Sequence, residues 1–85
     1  MEPWKLVLDE AAFQCFVSSR ATERRKALSA FEELRADPRR RADYCTNDAT
    51  GRTLNVWAGR PFLITYWLDS FVSEIRIVNI QRIRF

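Results

Sequence analysis

The sequence contains no histidine, only two cysteines and two glycines, three prolines and a single methionine. The missing histidine excludes imidazole general acid–base chemistry, any histidine-centred triad and any histidine-ligated metal. Cys15 and Cys45 fall in dissimilar segments. Two thiols are too few for a secreted disulfide framework and lack the paired spacing of a metal site, so neither metal nor cofactor is expected. With so little glycine and proline, disorder is not expected. No stretch approaches the ~20 apolar residues of a membrane span, and the opening residues show no charged segment leading into an apolar run. The expected setting is therefore the cytoplasm, away from any membrane.

What is present is a dense apolar and arginine-rich chain. Its 85 residues, 47% hydrophobic and 13% aromatic, read as one domain spanning 1–85. A chain of this length buries roughly 60–65% of the surface it exposes when unfolded, so its stability margin is thin. The formal net charge is +3, and of the 14 basic residues only Lys5 and Lys26 are lysines. Arginine makes planar, bidentate contacts to phosphate and carboxylate and stays charged at any physiological pH. The surplus fits a nucleic-acid or acidic partner, and it equally fits an organism with an arginine-rich proteome.

Along the chain, residues 3–8 alternate as a short strand, with Trp4, Leu6 and Leu8 on one side. Asp9 offers a helix cap, and Ala12, Phe13, Phe16 and Val17 recur at helical spacing up to Ser19, with Cys15 on the apolar side. Thr22 is a second candidate cap. Ala27, Leu28, Phe31 and Leu34 form the apolar stripe of another helix, stopped at Asp37-Pro38. The two helices are either a hairpin or one helix bent near Ala21.

From Tyr44 onward the pattern is β. Tyr44–Thr46 is a short strand and 48–51 a turn. Thr53–Ala58 places Leu54 and Val56 on one face and Thr53, Asn55 and Trp57 on the other. Gly59-Arg60 marks a tight turn. Residues 61–68 are nearly all apolar, as in a central strand covered on both faces. In the last strand, 73–83, Ile75 and Ile77 fall out of phase with Val78 and Ile80, which means either that both faces are partly covered or that a bulge shifts the register. The expected class is α+β in the order β-α-α-β-β-β, with room for an extra short strand. The helical hairpin should lie on one face of a small, mostly antiparallel, twisted sheet.

The opening strand leading into LDEAA, the charged segment ERRKALSAFEELRADP, the run GRTLNVWAGRPFLITYWLD and the closing EIRIVNIQRIR together resemble the RelE/ParE toxin superfamily over nearly the whole chain. GRPFLITYWLD is similar to the family's turn followed by an apolar strand with a tyrosine and a closing aspartate. The resemblance implies the toxin of a type II toxin–antitoxin pair, held inactive by a cognate antitoxin, with a heterotetramer or larger complex as the assembly. RelE-like members cut mRNA on the ribosome. ParE-like members poison DNA gyrase without enzymatic chemistry. A third alternative is a degenerate toxin that only binds its antitoxin. The middle-strand lysines of RelE-like members, and the tyrosine or histidine they often carry near the C-terminus, are not found here.

Cleavage of RNA by the 2′-OH needs a proton acceptor, a stabiliser for the dianionic phosphorane and a proton donor for the leaving oxygen. Such an enzyme would be a metal-independent endoribonuclease. Arginine suits the second task, which makes Arg60, Arg82 and Arg84 the catalytic candidates, with Arg52 and Arg76 as further RNA contacts. Arg39, Arg40 and Arg41 form either a phosphate-binding patch or a solvated loop at a helix end. Glu74 and Tyr66 are the proton-transfer candidates, although Tyr66 also reads as a core residue and Glu74 as a surface partner of an arginine. For a non-enzymatic toxin, Trp57, Trp67 and Phe71 are the anchoring candidates, with Trp57 on the face expected to be outside.

Overall fold

The computed structural model describes residues 3–83. The chain forms β1 (Lys5–Leu8), α1 (Glu10–Val17), α2 (Ala21–Ala36), β2 (Tyr44–Asn47), β3 (Thr53–Gly59), β4 (Phe62–Asp69) and β5 (Glu74–Arg82). The five strands lie in one sheet, in the order β1-β5-β4-β3-β2. Three successive antiparallel pairs follow from the tight connections between β2 and β5. β1 joins the far edge parallel to β5, with Leu6 opposite Ile75 and Leu8 opposite Ile77.

Both helices cover the same face. Ala12, Ala27, Ala30, Phe31 and Leu34 pack against Trp57, Phe62, Ile64, Tyr66, Ile75, Ile77 and Ile80. Phe16 of α1 stacks on Phe31 of α2 with centroids 6.0 Å apart. The helices are separate elements, divided at residues 18–20. There the buried Ser19 hydroxyl donates to the Cys15 carbonyl at 2.8 Å, and the Arg24 guanidinium donates to the Ser19 carbonyl.

The cap of α2 is not Thr22. Arg20 holds that position, and its backbone N–H donates to Glu23 Oε1 at 3.0 Å, so the acid at the third helical residue satisfies the entry in place of a hydroxyl. Asp9 occupies the N-cap of α1 without a side-chain hydrogen bond. The apolar stripe of α2 is also rotated from expectation. Ala30 is buried and Leu28 is 52% exposed.

The irregular spacing of β5 has one cause. The register with β4 slips between Thr65 and Tyr66, where Thr65 faces Asn79 but Tyr66 faces Ile77. The extra residue, Val78, is a bulge that lets Ile75, Ile77 and Ile80 all point into the core. β4 is the central strand, yet only its helix face is sealed. Phe62, Ile64 and Tyr66 are buried, whereas Leu63, Thr65 and Trp67 on the other face are half-exposed.

Gly59 is where α2 comes down on the sheet. A Cβ there would meet Ala30 Cβ and Ile64 Cδ1, each at 2.9 Å. The pairing of Gly59 with Ala30 allows the helix to sit close beside the turn that carries Arg60.

Candidate cationic site

The turn between β3 and β4 is two residues, Arg60-Pro61, closing the Gly59–Phe62 pair. Phe62 pairs in turn with Arg82, and the Ile83 N–H donates to the Pro61 carbonyl at 2.8 Å. Antiparallel pairing therefore brings Arg60 and Arg82 to the same end of the sheet, although they are 22 positions apart in sequence. Arg84 lies outside the described residues. Arg82 Nη2 bonds Glu23 Oε1 at 2.9 Å, on a carboxylate that also accepts the helix-entry N–H. Arg60 sits over a depression of about 430 Å³ with Lys26, Ser29, Ala30 and Glu33 of α2 on its other wall. The sequence offered no sign of Glu23, Lys26 or Glu33 as neighbours, because α2 meets this turn only through the tertiary fold.

The remaining candidate arginines form two other groups. Arg52 and Arg76 are on the sheet face opposite the helices and roughly 17 Å from the Arg82 end, at ~3.3 Å per residue along β4. Both guanidinium groups lie over the Trp67 ring, 4.1 and 5.7 Å from its centroid. Arg76 also pairs with Glu74 at 2.9 Å and Asp69 at 3.8 Å, and Arg52 with Asp48 at 3.8 Å. Arg39 and Arg40 belong to the loop after α2. Arg39 lies over Trp4 at 5.6 Å and donates to Ser70 Oγ at 3.4 Å, and Arg40 covers Trp57 at 4.4 Å. Arg41 is exposed on the same loop.

Both candidates for proton transfer are placed away from Arg60 and Arg82. Tyr66 is fully buried, and its hydroxyl has no hydrogen-bond partner among the described residues. Burial raises its pKa above the ordinary 10.0, against an opposing pull from Arg40. A phenol held in this way neither reaches substrate nor ionises near neutrality. Glu74 is committed to Arg76.

Of the three anchoring candidates, Trp57 corrects the sequence reading: it is 7% exposed. Its face of β3 is the helix side, and Arg40 closes over its ring. Trp67 is half-buried under its two arginines. Phe71, in the β4–β5 turn, is fully exposed, beside the exposed Val72. The sequence reading missed a second apolar feature. Leu6, Leu8, Phe13, Phe16, Leu28 and Phe31 line a groove between β1, α1 and α2, with Phe13 and Leu28 about half-exposed.

The turn from Asp48 to Arg52 holds the base of the Arg52 group. Asp48 Oδ1 accepts the N–H groups of Thr50 and Arg52, both at 2.9 Å, and the Thr50 hydroxyl at 2.6 Å. Gly51 supplies the positive φ of 85° that the turn requires. The Thr50 hydroxyl first, and then the Arg52 N–H, lower the Asp48 pKa below its usual 3.8.

No family model matches the sequence, and no curated relative matches it. In three dimensions the chain is similar to the crystal structure of the archaeal RelE–RelB complex from Pyrococcus horikoshii OT3. The TM-score is 0.71 at 13% identity, over 95% of this chain and 96% of that one. The fold is thus a RelE-type α+β fold.

Proposed function

We propose that this chain is the toxin of a type II toxin–antitoxin pair, and that it stops translation by cutting mRNA on the ribosome. The observation that carries the reading is the end-to-end likeness to a chain of a RelE–RelB complex, joined to the placement of Arg60 and Arg82 at the same end of the sheet. In this reading both guanidinium groups face the scissile phosphate, and Glu23 orients Arg82. Fixed positive charge at the developing dianion is worth about 10²–10³-fold in rate for each donor removed. Proton transfer would then fall to water or to groups of the ribosome, since neither Tyr66 nor Glu74 is at this end of the molecule.

A cognate antitoxin is the partner that fits the apolar groove between β1 and the two helices. An amphipathic helix laid there would cover Phe13 and Leu28. An acidic antitoxin would associate faster with so arginine-rich a surface.

The alternative is a gyrase poison, which needs a surface and no proton transfer. The fully exposed Phe71 with its neighbour Val72 favours it, as does the separation of Tyr66 from Arg60 and Arg82. Expression from a tightly controlled promoter separates the two. Early loss of protein synthesis with broken messages supports cleavage. DNA damage with intact messages supports gyrase. Unimpaired growth points to a degenerate toxin that only binds its antitoxin. Arg60→Ala and Arg82→Ala are each expected to abolish toxicity with the thermal melt preserved, and full toxicity in both would discard this site.

A further inference from the structure

The sheet has two outer edges, β1 and β2, and they are finished differently. On β1, Lys5 puts a charge on the strand, and Arg35 of α2 donates to the outward Trp4 carbonyl at 3.2 Å. Charge and cover of this kind keep an edge from pairing with another strand. β2 has no such protection among the described residues. Tyr44, Cys45, Thr46 and Asn47 are all exposed, and none of them is charged or proline. We infer that β2 is the seam of a two-fold dimer of this chain, in which the β2 strands of two copies pair antiparallel about Thr46.

The backbone of β2 suits that pairing. The Asp48 N–H donates to the Arg52 carbonyl at 3.0 Å, continuing the register in which Thr46 faces Leu54 and Tyr44 faces Val56. Residues that bond inward alternate along an antiparallel strand, so the N–H and C=O groups of Cys45 and Asn47 point away from β3. Turned over on a two-fold axis, Cys45 of each copy meets Asn47 of the other, and each meeting exchanges a pair of bonds, about four across the seam. Thr46 then faces Thr46 on the axis.

Charge selects a second copy as the occupant. Each copy carries a net charge of +3, so a cationic seam would repel itself, and this one is neutral. Beyond its ends the alignment matches opposite charges, because the exposed Arg41 before β2 comes beside the Asp48 turn of the second copy. Closure about a two-fold axis uses up both open edges and stops growth at two copies. The Arg60 turn lies at the Tyr44 end of β2, so the two turns point to opposite ends of the joined sheet. Neither they nor the apolar groove beside β1 is covered. A seam this short buries less than roughly 1,200 Å², the range of transient interfaces, so the dimer should dissociate with a Kd on the order of 100 μM.

Sedimentation velocity of the full chain, from about 10 μM to about 1 mM, reads the association. Thr46→Lys sets two ammonium groups face to face on the axis and should weaken the dimer by about fivefold with the thermal melt unchanged. In a Cys15→Ala/Cys45→Ser background, Thr46→Cys brings its own copy to about 4.5 Å between Cα atoms and should crosslink under mild oxidation. Lys5→Cys in that background, on the guarded edge, should not. Amide hydrogen exchange at Cys45 and Asn47 should slow as concentration rises, while exchange at Leu6 and Leu8 should not change.

A chain that stays monomeric to about 1 mM overturns the inference, as does a dimer that Thr46→Lys leaves at full strength. Crosslinking of Lys5→Cys to the same extent as Thr46→Cys marks random collision and overturns it as well. Protection of the Cys45 and Asn47 amides by an added threonine–valine peptide, with none from the chain itself, would make β2 the dock for a foreign strand instead.

Discussion

Gly59→Ala tests the contact on which the site is built. The added methyl group would stand 2.9 Å from Ala30 Cβ, 2.9 Å from Ile64 Cδ1 and 3.1 Å from the Trp57 ring. The end of Ile64 can swing away, but Ala30 has no rotamer to change, so α2 must lift or slide. Replacing glycine in a strand returns roughly 0.5–1 kcal/mol of backbone entropy. Forcing a methyl into a packed contact costs about 1–3 kcal/mol, and the steric cost prevails because the obstacle is a Cβ on a helix. The net loss should be about 1–2 kcal/mol, which lowers the melting temperature by roughly 5–15 °C in a domain of this size. Adding Ala30→Gly removes the obstacle. Alone it costs about 1 kcal/mol of helix propensity, but with Gly59→Ala it should restore part of the loss, giving a favourable coupling near 1 kcal/mol in a double-mutant cycle. Thermal melts followed by circular dichroism and tryptophan fluorescence read both effects. Wild-type stability in Gly59→Ala, or strict additivity in the double variant, would refute the close approach of α2 to the Arg60 turn.

Tyr66→Phe removes a buried hydroxyl that has no partner among the described residues, so stability in a urea melt should be unchanged or higher by up to about 1 kcal/mol, with toxicity intact. A loss of more than about 1.5 kcal/mol would mean that the hydroxyl is bonded after all. Leu28→Asp, on the rim of the apolar groove, should leave the melt within about 0.5 kcal/mol of wild type yet weaken antitoxin binding by about 2 kcal/mol, read by calorimetry. Asp48 has a depressed folded-state pKa, so its charge stabilises the β2–β3 turn above the unfolded pKa near 4, and that contribution is lost as pH falls through the lower folded value. Wild type should therefore outlast Asp48→Asn in melts at neutral pH, with the gap closing below about pH 4. An unchanged gap would separate the turn from that charge.

The elements were legible because their patterns are local. The apolar run at 61–68 announced the central strand, Asp37-Pro38 stopped α2 and the slipped spacing from Ile77 to Ile80 pointed to the bulge that the register displays. The site was legible only in part. Arg60 and Arg82 were named from the chemistry of a phosphate transition state, and the strand pairing puts their backbone positions at one end of the sheet. Nothing in the sequence connects Lys26 or Glu33 to that turn, because the connection runs through the packing of Ala30 on Gly59. The same packing rotates α2, burying Ala30 and exposing Leu28, which a stripe drawn from hydrophobicity alone assigns the other way. Trp57 was misplaced for a similar reason. Strand alternation separates two faces correctly but does not say which one the helices cover, and here they cover the face of Trp57, with Arg40 sealing its ring.

The most direct measurement of the central claim is end-mapping of a reporter message in a reconstituted translation reaction containing the purified chain. New 5′ ends should appear only when ribosomes are present, and should vanish with Arg60→Ala and Arg82→Ala. A message left whole while the wild-type chain is folded and in excess, or breaks that persist in both variants, would contradict it.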